Sequence, residues 1–260
     1  MTNDDGIDAP GIHRLCESLV RGGHTVTVVA PDKDRSGSSA SIGRLTTGRG
    51  VPVEAADFPV TDARAFRVAG PPGLAVMAAC LGAFGPAPDL VVSGINAGLN
   101  TGHAILHSGT VGAALTAQTF GVSALAVSVD AQPPWQWDTA CALANRALQL
   151  LTAEPEGTVY NLNAPARELE RVRGLRWATL DHFGAVRLAV AGHERGAVQL
   201  ELRETGAELN PESDTALVAA GYGTLTRLYG VTAPDEYRQL ERPRGELLFV
   251  TQPAAHPEPP

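Results

Sequence analysis

The chain is nearly devoid of lysine, because Lys33 is the single one among its 260 residues. Its 28 acidic and 20 basic residues give a formal net charge of −8 at pH 7. Nucleic-acid grooves depend on clustered Lys and Arg side chains that displace counterions. The densest basic stretch here, Arg171, Arg173 and Arg176, is more typical of a solvated face. The composition therefore disfavours a nucleic-acid polymer as partner.

Cysteines and long apolar runs are also scarce. Cys16, Cys80 and Cys141 are odd in number, widely spaced and set among apolar residues, which predicts reduced, packed thiols rather than a disulfide framework or a zinc cluster. No uninterrupted apolar run reaches the roughly 18 residues of a membrane-spanning helix. The first residues are acidic, unlike the basic start of a secretion signal. We expect a cytoplasmic protein that does not insert into a membrane.

The hydrophobic fraction of 44% suffices for a sizeable core. Segments with helical periodicity alternate with apolar runs typical of buried strands, which predicts an α/β fold with a doubly wound parallel sheet. Helices are expected at 10–21, 74–81, 110–120 and 138–152, the last one capped by Asp138, and strands at 25–30, 90–92, 123–129 and 158–161.

The pattern changes after Pro165. Alternating segments at 175–180, 186–190 and 197–203 predict antiparallel strands or a long hairpin. Asp214 is expected to cap a short helix that reaches Ala220, followed by a strand at 223–228. We therefore predict a metal- and phosphate-binding core at 1–165, a hairpin or oligomerisation extension at 166–251 that returns to the core, and a disordered, proline-rich tail at 252–260.

An adjacent pair of acids, Asp4 and Asp5, stands near the start of the chain. Two carboxylates this close repel each other, and a divalent cation is the obvious group to offset them. Segments 3–6, 30–36 and 93–100 each stand where parallel strands end, so their oxygen atoms are expected to converge at one edge of the sheet. Carboxylate, hydroxyl and amide oxygens suit Mg²⁺ or Mn²⁺.

The run Ser108-Gly109-Thr110 opens a predicted helix. The first N–H groups of a helix lack intrahelical partners and lie at the positive end of its dipole, so this run could bind an anion such as phosphate. A structural role is the alternative, in which Ser108 caps the helix and Gly109 eases packing.

Several motifs occur in order along most of the chain: Thr2-Asn3-Asp4-Asp5-Gly6-Ile7, Ala30-Pro31-Asp32-Lys33-Asp34-Arg35-Ser36, Ser93-Gly94-Ile95-Asn96-Ala97-Gly98-Leu99-Asn100, His107-Ser108-Gly109-Thr110-Val111, Asn161-Leu162-Asn163-Ala164-Pro165, and Asp214 with Gly221-Tyr222. With these motifs the chain resembles the SurE family, the stationary-phase survival proteins that act as metal-dependent nucleoside-monophosphate phosphatases. One such run would be a weak signal, but the ordered set is specific.

The resemblance implies a residue-level site. Asp4, Asp5, Ser36 and Asn96 would hold a divalent ion, Mg²⁺ or Mn²⁺, with Asp4 and Asp5 also catalytic. Asn100, Ser108, Gly109 and Thr110 would bind phosphate. The implied reaction is hydrolysis of nucleoside 5′- or 3′-monophosphates, sometimes with activity on short polyphosphate.

The resemblance also implies a three-layer αβα core and a C-terminal hairpin exchanged between the subunits of a homodimer or homotetramer. The donor of the leaving-group proton stays open. His103 and His107 are candidates, and we favour a structural or substrate-orienting role for His107.

The chain departs from the family pattern in two places. Family members carry a short apolar strand before the Asn-Asp-Asp run, whereas this chain starts at Met1-Thr2. We therefore expect an upstream start, or a form of low stability and weak metal binding. Leu74 also stands where the family has an acid, so substrate selectivity or a subunit contact is expected to differ. Ligation by Ser38 or Ser39 instead of Ser36 stays open.

Other protein classes fit less well. A phosphoacceptor receiver domain needs a later lysine, and the single lysine is Lys33. A dinucleotide-binding fold needs a G-x-G-x-x-G turn, which residues 3–6 do not provide. A catalytically impaired nucleotide-binding relative that lacks the first strand remains the alternative to an enzyme.

Overall fold

The structure, a computed structural model, describes residues 1–46, 48, 50–182, 186–194, 196–204, 209–231 and 247–249. The α-helices are α1 (Pro10–Arg21), α2 (Pro72–Cys80), α3 (Gly109–Gln118), α4 (Trp137–Leu151) and α5 (Asp214–Ala219), with 3₁₀ turns at Gly102–His107 and Leu169–Arg171. The strands are β1 (Thr27–Pro31), β2 (Val53–Ala55), β3 (Arg64–Val68), β4 (Leu90–Ala97), β5 (Ser123–Val129), β6 (Val159–Ala164), β7 (Leu175–Trp177), β8 (Val186–Glu194), β9 (Ala197–Glu204), β10 (Gly223–Leu228) and β11 (Leu247–Phe249).

The strands of the core form two sheets. The larger has the order β11-β7-β10-β6-β5-β4, in which β4, β5 and β6 are parallel and β10 is antiparallel to β6. The smaller has the order β1-β3-β2, with β1 and β3 parallel. This mostly parallel arrangement confirms the predicted α/β class.

Helices cover both faces of the larger sheet. One apolar cluster joins residues of α1 and α4 to one face, through side chains such as Leu15, Leu143 and Tyr160. A second cluster joins α2 and α3 to the opposite face, through Val76, Val111 and Ala126 among others. The three-layer αβα core is therefore present, and β4, β5 and β6 bury both of their sides along most of their length, as their near-continuous apolar sequences require.

The helices begin close to where the sequence predicts, but two predicted caps are wrong. Helix α4 begins at Trp137, so Asp138 lies inside its first turn and pairs with Arg14. Helix α5 is capped by Ser213, whose hydroxyl accepts a hydrogen bond from the Ala216 N–H at 3.2 Å. Asp214 is the residue after the cap, and its carboxylate binds other groups.

Strands β2 and β3 are absent from the predicted elements. Strand β2 is exposed at all three positions, and β3 buries only Ala65 and Val68 of its five residues. Strand β2 lies at the edge of the smaller sheet and β3 lies between β1 and β2, but neither has the apolar run that identifies buried strands.

Residues Met1 and Thr2 lie between the two sheets and connect them. On one side the Met1 amino group donates to the Thr27 carbonyl at 2.8 Å and the Val29 N–H donates to the Met1 carbonyl at 2.9 Å. On the other side Thr2 makes two backbone hydrogen bonds with β4, to Val92 at 3.0 Å and from Gly94 at 2.9 Å. Met1 and Thr2 thus bridge the two strands, through Thr27 and Val29 of β1 and through Val92 and Gly94 of β4.

Strands β8 and β9 form a separate antiparallel hairpin, as predicted. Val190, Val198 and Leu200 are more than half exposed on it. The domain boundary at residue 165 stays a prediction, and the main sheet continues across it through β7 and β10. The predicted tail at 252–260 lies outside the described residues.

Two further expectations concern thiols and membranes. Cys16 and Cys141 are free and buried, and Cys80 is free and half-buried, in agreement with the predicted packed thiols. Among the described helices, none combines the length and apolar character needed to cross a bilayer.

Candidate functional site

The acid pair lies at the carboxyl edge of the sheet, between the ends of β1 and β4. The Arg35 N–H donates to the Asp4 carbonyl at 2.7 Å, which fastens the loop after β1 to the acid pair. Gly6 permits this approach, because a Cβ on it would stand 3.1 Å from the Lys33 carbonyl carbon and its φ is +100°. A side chain at position 6 would therefore push the two loops apart.

Asp4 is buried against the first turn of α3. The residue is 3% exposed, and its carboxylate accepts a hydrogen bond from the Thr110 hydroxyl. A Cβ on Gly109 would stand 2.8 Å from the Asp4 Oδ2 atom, so only glycine permits the contact. The acid pair and the start of α3, which the sequence places 106 residues apart, form one site.

Asp5 is the less buried of the two acids and accepts a hydrogen bond from the Ala97 N–H. Burial, together with the nearby Asp4 and Asp34 carboxylates, raises the pKa of its carboxyl group to about 6, although the Ala97 N–H opposes this rise. The described ion pairs involve neither Asp4 nor Asp5. The carboxyl group is therefore held where a cation would lower its pKa.

The other two predicted ligands, Asn96 and Ser36, are chain neighbours of residues that hydrogen-bond to the acid pair. Asn96 precedes Ala97, and its Nδ2 atom donates to the Gly98 carbonyl at 2.7 Å, which leaves its Oδ1 atom as the acceptor. Ser36 follows Arg35, and its hydroxyl donates to Asp34 at 2.6 Å. A serine hydroxyl in that role keeps its lone pairs for a cation.

The two alternative serines differ from each other. Ser39 is engaged, because its hydroxyl donates to the Leu106 carbonyl at 2.7 Å. The Ser38 Oγ atom is buried with no partner among the described residues, and it would stand 2.6 Å from a Cβ on Gly109. Ser38 is therefore the serine whose position still competes with Ser36.

These residues fit a hard divalent cation. Within the described ranges no three His, Cys, Asp or Glu side chains cluster as a metal site. The two carboxylates would need the Asn96 carbonyl, a serine hydroxyl and water to complete six-coordination, a ligand set that Mg²⁺ and Mn²⁺ accept and zinc sites rarely use. The buried, unneutralised acid pair is the observation that supports a cation here.

Asn100 is fixed by two asparagines of β6. The Asn100 N–H donates to the Asn163 Oδ1 atom, and the Asn161 and Asn163 side-chain amides both donate to the Asn100 carbonyl, each at 2.8 Å. The Asn100 Nδ2 atom donates to the Ser128 hydroxyl at 2.8 Å. Its backbone and amide nitrogen are thus occupied, and its Oδ1 atom is the remaining polar group.

Ser108 caps α3, since its hydroxyl accepts a hydrogen bond from the Val111 N–H at 3.1 Å. This is the structural role that the sequence left open, and it does not compete with anion binding, because the first N–H groups of the helix remain without intrahelical partners. The Thr110 hydroxyl is directed to Asp4, so its predicted contact with phosphate would come from its backbone N–H.

The two histidines of the site segment are exposed. The His103 N–H donates to the Asp181 carbonyl at 3.2 Å, and its ring lies edge-on to His182 with centroids 4.9 Å apart. The His107 carbonyl accepts from the Ser39 N–H at 3.3 Å. These backbone bonds give both residues a structural role.

Four residues that organise this site were not among the predicted site residues. They are Ser128, Asn161, Asn163 and Asp214. The two asparagines stand at alternate positions of a strand that is buried throughout. Side-chain amides on one face of an apolar strand indicate that a specific polar group lies opposite them, because buried polar groups require hydrogen-bond partners.

The chain is similar to known proteins over most of its length. The family model described as Survival protein SurE matches residues 1–184. The 5′/3′-nucleotidase SurE of Erwinia tasmaniensis is 37% identical over 234 residues, 88% of each chain, and the 5′-nucleotidase SurE of Xanthomonas campestris pv. campestris is 41% identical over 192 residues, 72% of this chain and 68% of that one. The crystal structure of the SurE protein from Aquifex aeolicus is 27% identical, with a TM-score of 0.75 over 92% of this chain and 95% of that one.

Proposed function

The chain belongs to the SurE family, and we propose that it is a phosphomonoesterase that hydrolyses nucleoside 5′- or 3′-monophosphates to nucleoside and phosphate. One observation of the structure carries the proposal. The Asp4 carboxylate contacts the first turn of α3 through Thr110 and Gly109, so an acid pair suited to a cation adjoins a helix end suited to an anion.

We propose Asp4, Asp5, Asn96 and Ser36 as the residues that hold a divalent ion, Mg²⁺ or Mn²⁺. When bound, such an ion neutralises phosphate charge and lowers the pKa of a water molecule that can attack phosphorus in line. A carboxylate oxygen of the pair that does not contact the ion can orient that water or accept its proton.

The remaining residues bind and orient the phosphate. The N–H groups of Gly109 and Thr110 lie at the positive end of α3 and can donate to phosphate oxygens. Asn163 of β6 holds the Asn100 backbone through two hydrogen bonds. The Asn100 Oδ1 atom can therefore contact the substrate without further ordering of the loop. We also propose short polyphosphate as a second substrate, because its terminal group presents the same oxygens.

The subunit arrangement is part of the proposal. Val190, Val198 and Leu200 expose apolar surface on the β8–β9 hairpin. An exposed apolar patch of this kind marks an interaction surface, and we propose that a second copy of the chain covers it in a homodimer or homotetramer. The free, buried thiols support a cytoplasmic location.

The test is phosphate release from nucleoside monophosphates and from generic phosphomonoesters, each with Mg²⁺, with Mn²⁺ and with EDTA. We expect release from the nucleotides that requires a metal, and a loss of at least a hundredfold in Asp5→Asn. The control is Asp57→Asn, which changes an acid outside the site. Metal-dependent nucleotide binding without turnover in the wild type would instead identify an impaired relative.

A further inference from the structure

Asp214 is a fully buried acid outside the acid pair, with an exposed fraction of 0%. Its carboxylate accepts hydrogen bonds from three backbone N–H groups, those of Gly102 at 2.9 Å, Asp181 at 3.0 Å and Thr215 at 2.8 Å. The Thr215 hydroxyl adds a longer bond at 3.3 Å. The carboxylate therefore joins α5 to two segments that are remote in sequence.

These bonds are not those of a helix cap. Ser213 already caps α5, and the Asp214 N–H donates to the Thr179 carbonyl at 2.8 Å. Burial raises the pKa of the Asp214 carboxyl group, although the hydrogen bonds oppose that change. A buried acid is a costly way to pack a helix, but an apolar side chain in its place would leave the Gly102 and Asp181 N–H groups without their acceptor.

Gly102 is the residue through which Asp214 reaches the phosphate-binding groups. It opens the 3₁₀ turn Gly102–His107, which leads directly into Ser108 and the start of α3. Asn100 lies two residues before it. Gly102 also has a φ of +58°, so the carboxylate holds the segment at a left-handed position that favours glycine.

We infer that Asp214 is a positioning residue, which sets the distance between Asn100 and the N-terminus of α3 by holding Gly102. The inference rests on the proposed function, because it concerns how the same site binds phosphate. Asp214 contacts neither the acid pair nor the proposed ligands of the metal, and it takes no part in the contact between Thr110 and Asp4, so its direct effect is on the phosphate half of the site.

The same carboxylate reaches the base of the hairpin. Asp181 lies between β7 and β8, and the His103 N–H donates to its carbonyl at 3.2 Å. Asp214 and His103 thus connect the base of the β8–β9 hairpin to the phosphate-binding segment from both of its sides.

The test separates phosphate affinity from metal affinity. Asp214→Asn keeps the shape of the side chain but replaces one acceptor oxygen by an NH₂ donor. We expect the KM for nucleotide and the inhibition constant of inorganic phosphate to rise about tenfold or more, the effect of one lost charge-assisted hydrogen bond. The dissociation constant of Mn²⁺, measured calorimetrically without substrate, should change less than about twofold, because Asp214 contacts none of the proposed metal ligands.

Two control variants show what a loss of structure alone would do to phosphate inhibition. Thr215→Val removes only the hydroxyl that makes the longest bond to the carboxylate, and it should leave phosphate inhibition unchanged. Leu217→Ala removes a buried side chain of α5 that is 4% exposed, and it should lower the Tm without changing phosphate inhibition. An Asp214→Asn protein that matches Leu217→Ala in both measurements would overturn the inference.

A second variant covers the case in which Asp214→Asn does not fold. Gly102→Ala strains the backbone of the residue that donates the hydrogen bond, because its φ is positive, and leaves Asp214 intact. It should weaken phosphate inhibition in the same direction, and unchanged inhibition would count against the positioning role. Failure of the proposed function is distinguishable, because it would show as a wild type that releases no phosphate from any nucleotide.

Discussion

The Thr110 hydroxyl donates a hydrogen bond to the Asp4 carboxylate, which joins the first turn of α3 to the acid pair. The bond fixes the side-chain orientation of the more buried acid, and it leaves the Asp4 Oδ2 atom next to Gly109. The geometry of the acid pair therefore depends on a residue of the phosphate-binding helix, and the two halves of the site are not independent.

Replacing Thr110 by valine tests this dependence. Thr110→Val keeps the shape of the side chain but removes the donor, so the Asp4 carboxylate is released from its orientation. We expect kcat/KM to fall about tenfold, in line with the loss of a hydrogen bond to a charged group. Thr116→Val is the matched control, because the Thr116 hydroxyl donates to the Gly112 carbonyl in the same helix and does not reach the site. Equal activities of the two variants would contradict the prediction.

A methyl group on Gly109 should disrupt the site. In Gly109→Ala the new Cβ would stand 2.6 Å from the Ser38 Oγ atom and 2.8 Å from the Asp4 Oδ2 atom, closer than real Cβ contacts. We expect activity to fall by at least tenfold and Mn²⁺ affinity to fall with it, because Asp4 must move. Gly50→Ala is the control, since a Cβ there has no neighbour within 4 Å. Wild-type activity in Gly109→Ala would show that the approach of Asp4 to α3 is not required.

The raised pKa of Asp5 predicts a pH dependence of stability without metal. The pKa is 3.8 in the unfolded chain and about 6 in the folded one, so the folded state binds more protons between these values. The free energy of unfolding should therefore fall as the pH rises from 4 through 6. Urea titrations in EDTA should show this decrease in the wild type and a smaller one in Asp5→Asn.

The effect of Mn²⁺ on thermal stability is a second test of the Asp5 carboxylate. Above pH 6 the Asp5 carboxylate is ionised, and Mn²⁺ should raise the Tm of the wild type more than that of Asp5→Asn. The amino group of Met1, whose pKa burial lowers to about 6, titrates in both proteins and does not affect their difference. Parallel pH profiles of the two proteins would mean that Asp5 is not the group responsible.

The proposed subunit interface predicts an effect of polar substitution on the hairpin. Val190 and Leu200 pair across β8 and β9 and are both more than half exposed. Val190→Thr combined with Leu200→Thr should shift the protein towards the monomer, measured by light scattering during gel filtration. Gln199→Thr is the control on the neighbouring position of β9. A monomeric wild type would rule out the proposed oligomer.

The sequence predicts the interior of this fold better than its edges. Strands β4, β5 and β6 are recognisable because their apolar runs reflect burial on both faces. Strand β2 is exposed throughout and carries no such signal. The site segments were also predictable, because the ends of parallel strands meet at one edge of the sheet.

The role of Asp214 could not be predicted from its neighbours. An acid next to a helix start suggests a cap, but Ser213 immediately before it takes that place. The groups that its carboxylate binds lie 112 and 33 residues away in sequence, at Gly102 and Asp181. Local patterns carry no information on such distant partners, and the same reason hides the binding of Asn100 by Asn161 and Asn163.

The two asparagines of β6 hold Asn100 much as a neighbouring strand would, through its own N–H and carbonyl groups. The loop consequently loses its conformational freedom when the chain folds, not when a ligand arrives. An incoming phosphate then has no ordering entropy of this loop to overcome, so its association should be fast and limited by diffusion and charge rather than by loop closure.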